Sequence, residues 1–159
     1  MHKYSVHLVQ SLVAVTLLLP PIVHAAETEA DRWNLQDLYP TSAEWDKDAL
    51  KLQTQFKEIS GCNGQLGASV QRFKSCMDLN TDILKRYARL ASYASQFHDQ
   101  DTGATAGLDI NQRSEILGSQ LEEATSFFRP EILSIGQAKV KAYLGKDKSL
   151  SIYAHPLED

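Results

Sequence analysis

The stretch from about Ala68 to His98 places the strongest constraint on what this chain can become. Its apolar residues form two series, Phe73, Met77, Leu84, Tyr87, Ala91 and Ala94, and Cys76, Leu79, Ile83, Leu90 and Phe97. Steps of three, four and seven residues are the repeat of an α-helix. Two stripes on different faces of one helix require cover from more than one side. The polar Asn80 and the drifting stripe spoil a strict heptad, which argues against a coiled coil.

The flanking sequence supplies helices of the same kind. Trp45, Ala49, Leu52, Phe56 and Ile59 follow one another at spacings of 4, 3, 4 and 3, one stripe on one helix face. Thr41 or Ser42 can cap that helix, Pro40 excludes helix just before it, and the three glycines of "SGCNGQLG" (60–67) end it. "HDQDTG" (98–103) is a polar break with Asp and Thr available as caps. A third helix is expected to about Phe128, with Ile110, Leu117, Leu121, Ala124 and Phe128 on one face. Arg129-Pro130 permits a new helix start at Pro130, and the shorter apolar pieces "EILSI", "VKAYL" and "LSIYAH" follow. No β-run and no internal repeat is present. The expected fold class is all-α, a bundle of antiparallel helical hairpins, because the connections are short.

The first 25 residues set the compartment. "MHKYSVHLVQSLVAVTLLLPPIVHAA" carries one lysine and no acid before Glu27, an apolar run from Leu12 to Leu19, and "VHA" at a cleavage position. This is the pattern of a secretory signal peptide cut after Ala25, or after Ala26. An uncleaved anchor is the competing reading, but Gln10, Ser11 and two prolines interrupt the ~20 apolar residues a span needs. The expected division is therefore a signal peptide over 1–25, an extended aromatic leading segment over 26–41, and a helical, incomplete domain over 42–159. The mature chain is expected in the periplasm or secreted, with no stable membrane anchor. Cleavage leaves 134 of the 159 residues and moves the net charge from −4 to about −5. The densest basic cluster, Lys85, Arg86 and Arg89, reads as a solvated helix face, so nucleic-acid binding has no support.

The chemistry-bearing residues are few. In an exported protein Cys62 and Cys76 are more often bridged than free; the competing reading is a buried Cys76 and a free loop thiol at Cys62. Histidines stand at 2, 7, 24, 98 and 155, and the first three leave with the signal peptide. A catalytic zinc needs three protein ligands, and His98 and His155 stand alone. "HDQD" (98–101) is a junction between helix and turn, and Pro156 in "HPLED" disrupts the helix a His-Glu-x-x-His motif requires. Glu122 and Glu123 point in different directions on a helix, so they form no acid–base pair. There is no Gly-x-Ser-x-Gly, phosphate loop or dinucleotide fingerprint. The expectation from these residues is no catalytic or metal site and no cofactor within this chain.

Three ordered segments carry a resemblance. "WNLQDLYPTSAEWDKD" (33–48), through Trp33, Leu35, Leu38, Tyr39 and Pro40, resembles the N-terminal opening of the oligoendopeptidase F family of zinc metallopeptidases. "RLASYASQFHDQDTG" (89–103) resembles that family's Leu-x-x-Tyr-Ala segment ending in Asp-Thr, matched by Tyr93, Asp101 and Thr102. "EEATSFFRPEIL" (122–133) resembles its Ala-x-Ser-Phe-Phe-x-Pro-Glu-Leu segment, matched by Ser126, Phe127, Phe128 and Pro130, with Ile132 in place of the last leucine. The resemblance implies a larger enzyme whose His-Glu-x-x-His zinc helix lies in a C-terminal catalytic domain absent from this sequence. It implies an N-terminal helical region that caps a deep substrate channel and limits cleavage to short, unfolded oligopeptides. The implied partners are that catalytic domain and, in the parent enzyme, oligopeptides. Zinc belongs to the full-length family, and this chain should be inactive alone. The alternative is a stand-alone exported helical module that binds a peptide or protein partner.

Overall fold

A computed structural model describes residues 33–154. The expected signal peptide and its cleavage site, the start of the leading segment (26–32), and the tail 155–159 with His155 and Pro156 lie outside the described residues. Those described form five α-helices and two short 3-10 turns, with no strand among them.

Helix α1 spans Ser42–Ser60. Thr41 has an extended backbone, and its hydroxyl accepts from the Glu44 N–H at 3.3 Å, satisfying one of the donors a helix start leaves open. All five residues of its apolar stripe are buried. Helix α2 spans Val70–Gln100, capped by Ser69, whose hydroxyl accepts from the Arg72 N–H at 3.0 Å. Helix α3 spans Thr105–Thr125. The caps expected from Asp and Thr in the 98–103 break are not used for it. Asp101 Oδ1 instead accepts from the Gly103 N–H at 3.0 Å, a local turn, and Ala104 precedes α3 without a side-chain cap.

Pairs of contacts set the topology. Trp45 Nε1 donates to the Leu90 carbonyl at 2.9 Å and Arg72 Nη2 donates to the Gly61 carbonyl at 2.6 Å. The start of α1 therefore lies on the end of α2, and the two run antiparallel. Helix α3 returns against α2: a Cβ on Gly107 would stand 3.0 Å from His98 Cα, so this close approach needs glycine. Arg113 pairs with Asp46, and Gln53 Nε2 donates to Gln120 Oε1 at 3.4 Å. Both pairs are 67 residues apart, so α1 and α3 run parallel. The result is an up–down–up bundle in which each helix packs on the other two.

The remainder closes the end where α1 meets α2. The third helix stops at Thr125, and α4 spans Phe128–Ile135, two residues earlier than the start expected at Pro130. Pro130 sits in the first turn of α4, where its missing N–H costs no helical bond. Gly136, at φ 82 and ψ 147, turns the chain into α5, Gln137–Lys146, in a region open essentially to glycine. A 3-10 turn over Lys148–Tyr153 ends the described chain. Tyr143 packs on Phe73, its ring centroid 5.5 Å away, and donates to the Gly67 carbonyl at 2.9 Å; Tyr153 donates to Asp78 Oδ1 at 2.7 Å.

The two stripes of α2 follow from this arrangement. Phe73, Cys76 and Met77 in its first half are buried, and α5 and the final 3-10 turn lie there. Farther along, Ile83, Leu90, Tyr93 and Ala94 are buried beside α1, α3 and the leading segment. At 100° per residue the buried arc turns by roughly a quarter turn between these two groups. Leu84 continues the first stripe beyond its cover and is 46% exposed.

Candidate functional site

The leading segment closes the opposite end of the bundle. It was expected to be extended, but Leu35–Asp37 form a 3-10 turn, which brings Leu35 and Tyr39 inward while Trp33 stays 61% exposed. The buried Tyr39 ring stands edge-on to Tyr93 at 5.4 Å and beneath the Arg89 guanidinium at 4.7 Å. Its hydroxyl donates to Asp48 Oδ2 at 2.7 Å, and Asp48 also pairs with Arg86. Burial pushes the Tyr39 phenol well above its ordinary range, and the bond to Asp48 adds to the shift. Arg89 donates to the Leu38 carbonyl, and Gln100 Nε2 to the Trp33 carbonyl at 3.0 Å. Leu38 is half-buried, and the exposed Pro40 leads directly into the Thr41 cap. Lys85, Arg86 and Arg89, read in sequence as one solvated face, are therefore divided: Arg89 fastens the leading segment to α2, and Arg86 ties α2 to Asp48 and Gln55 of α1.

The other motif residues are structural in the same way. Tyr93 is buried and stacks on Phe97 at 5.8 Å, while Asp101 and the exposed Thr102 make the α2–α3 turn. Ser126 Oγ donates to the Glu123 carbonyl at 2.9 Å, and the Phe127 and Phe128 rings meet at 4.7 Å where α3 gives way to α4. The structure thus gathers Leu35, Leu38, Tyr39 and Tyr93 at one end of the bundle and puts Ser126–Pro130 at the other. Glu131, not singled out by sequence, holds the glycine-rich loop: its carboxylate accepts from the Gly64 N–H at 2.8 Å and the Leu66 N–H at 2.7 Å. Cys62 and Cys76 are bonded to each other, with Cα atoms 5.9 Å apart, and this ties the same loop to α2.

Among the described residues hollows lie in two places, and the one beside the leading segment, about 240 Å³, is lined largely by charged side chains such as Lys47, Asp48, Lys51 and Arg89. Two adjoining hollows of about 530 and 230 Å³ lie along α1 and α3, and no α2 residue lines either. Gln53 borders both. The smaller has Trp45 and Leu117 as its floor and the exposed Leu50 and Ile116 on its rim. The larger presents Phe56 and Phe127 beside the amides of Gln53, Gln120 and Asn63. Apolar side chains beside side-chain amides give this surface both non-polar area and hydrogen-bonding groups.

The described residues do not fit a zinc. Among them His98 is the one histidine, the two cysteines are spent on each other, and no group of three His, Cys, Asp or Glu side chains could hold a metal. His98 Nδ1 is buried without a hydrogen-bond partner, but no second donor converges on it. Among the described residues no helix is long and apolar enough to cross a membrane.

Comparison with known proteins supplies the context. No protein-family model matches the sequence. The chain is 29% identical over 129 residues to Oligopeptidase PepF of Bacillus subtilis, which covers 81% of this chain and 19% of that protein. It is 25% identical over 130 residues to Group B oligopeptidase PepB of Streptococcus agalactiae, 82% of this chain and 22% of that one. Its fold matches the crystal structure of oligoendopeptidase-F from Enterococcus faecium with a TM-score of 0.69 and 26% identity, over 74% of this chain and 23% of the other. The chain thus spans about a fifth of the length of the relatives it matches. Sequence and fold agree that this chain fits a segment of the oligoendopeptidase F family.

Proposed function

We propose that the chain is the N-terminal, channel-capping part of an exported zinc metalloendopeptidase that cleaves oligopeptides, and that it has no peptidase activity alone. The carrying observation is the ratio of coverages: about four fifths of this chain aligns with about one fifth of each oligopeptidase. The described part of that fifth contains helix-to-helix fastenings and no convergent acid, base and metal-ligand set. Its role is then to shape access to a reaction carried out by residues elsewhere in the parent enzyme.

The test is direct. The purified full chain, supplied with zinc and fluorogenic oligopeptides, should bind no stoichiometric zinc and release no fluorophore. One tightly held zinc per chain with chelator-sensitive cleavage would overturn the reading. The hollowed α1–α3 face favours a second reading, a stand-alone exported module that binds a peptide or protein. Translation of the DNA beyond codon 159 separates the two: a downstream His-Glu-x-x-His helix supports the peptidase, and its absence supports the module.

A further inference from the structure

We infer that the α1–α3 face is the surface on which the remaining polypeptide of an oligoendopeptidase F-type chain docks; this rests on the functional reading above. The two sides of the bundle differ in kind. The outer side of α2 exposes Asp82, Lys85 and Asp99, with Leu84 as its one large exposed apolar side chain among the described residues. The α1–α3 side exposes Leu50 at 64% and Ile116 at 57%, and beyond them the larger hollow opens onto Phe56 and Phe127. Among the described residues nothing covers this stripe.

Scale and charge select the occupant. A helix of 19 residues is ~28 Å long and two packed helices present a face ~20 Å wide, on the order of 550 Å². That is the scale of contacts between domains of one chain, which are also more polar than permanent subunit interfaces. Around the hollows Lys57 stands with Glu123 and Arg113 with Asp46, so the rim is balanced in charge, and its amides suit polypeptide rather than an anionic polymer or membrane. In the relatives roughly four fifths of the chain lies outside the matched part, and it must meet this bundle somewhere. The apolar, charge-balanced face is where desolvation costs least.

Two measurements test the docking. In the Enterococcus faecium oligoendopeptidase-F structure, the positions that superpose on Leu50, Ile116 and Phe127 should be covered by polypeptide outside the matched 23% of that chain. Their exposure to solvent there would overturn the proposal. The second is a chimera in which residues 33–154 replace the matched part of Bacillus subtilis Oligopeptidase PepF. Leu50→Glu with Ile116→Glu should lower the chimera's Tm by at least 5 °C and leave the melt of the isolated chain unmoved. Equal shifts in both overturn the proposal, as does an isolated chain that sediments as a dimer and is made monomeric by the pair, because a second copy then owns the face. An active chimera indifferent to the pair sinks the docking alone. A folded but inactive chimera sinks the functional reading instead.

Discussion

Tyr39 should be the residue on which the leading segment depends, and two substitutions separate its ring from its hydroxyl. Tyr39→Phe keeps the edge-on contact with Tyr93 and the Arg89 guanidinium above the ring, and removes the 2.7 Å bond to Asp48. A hydrogen bond to a charged acceptor contributes ~1.5–3 kcal/mol. Asp48 retains Arg86 as a partner, so a cost of about 1.5 kcal/mol, the low end of that range, is expected. Tyr39→Ala also removes a ring that is 5% exposed, and deleting a buried aromatic costs ~3–5 kcal/mol. Against a typical domain stability of ~5–15 kcal/mol that is a large share. Urea unfolding followed by circular dichroism should show the midpoint falling by about 1 M for Tyr39→Phe and by about 2–3 M for Tyr39→Ala, with the slope unchanged. The pH dependence has a definite sign. The phenols of Tyr39, Tyr93 and Tyr153 are all raised, chiefly by burial, so their contribution is intact below the ordinary value near 10 and lost as pH rises through the higher folded values. Absorbance near 295 nm should therefore show these three phenols ionising later than a free tyrosine, with one late-titrating group missing in Tyr39→Phe. A cost below about 1 kcal/mol for Tyr39→Ala would refute the idea that the motif fastens the segment to α2.

Four further outcomes follow from other contacts. Non-reduced mass spectrometry of the purified chain should find Cys62 and Cys76 bridged, and Cys62→Ser should cost roughly 3 kcal/mol by the loop-entropy argument; two alkylatable thiols would contradict the bridge. Glu131→Ala should cost about 1.5–3 kcal/mol and expose the 61–67 loop to proteolysis, and an unchanged cleavage pattern would deny the carboxylate that role. Lys74, and then Tyr153, hold the Asp78 carboxyl below its ordinary value. Its contribution is thus present above about pH 4 and lost as pH falls through the folded value, and Asp78→Asn should flatten the acid limb of the stability curve. The isolated chain should bind an apolar-surface dye through its uncovered α1–α3 face; the absence of dye binding would mean that the bundle is a complete core.

Local pattern carried much of the architecture, and non-local contact carried what pattern missed. The α1 stripe and its Thr41 cap were legible because spacing and capping are properties of a few consecutive residues. The breaks at 60–67 and near 101 were legible because glycine and Asp-Thr punctuate a helix. Leu84 was not: its periodicity is right, but among the described residues no helix covers it fully and it stays exposed. Within the described part of the leading segment the extended reading fails at Leu35–Asp37, since nothing in Trp33–Pro40 announces the 3-10 turn that buries Leu35 and Tyr39. Glu131 and the Gln53–Gln120 pair gave no signal, because each acts across more than 60 residues. The parallel register of α1 and α3, and hence the hollowed face, arises from packing around α2 and is invisible to any window.

The central claim is that these helices occupy the place of the matched fifth of an oligopeptidase and contribute shape without chemistry. It is tested most directly by cleavage of a fluorogenic oligopeptide by the chimera of residues 33–154 with Bacillus subtilis Oligopeptidase PepF, beside the isolated chain. The account predicts zinc-dependent turnover by the chimera and none by the isolated chain. Turnover by the isolated chain, or a folded chimera that cleaves nothing, would contradict it.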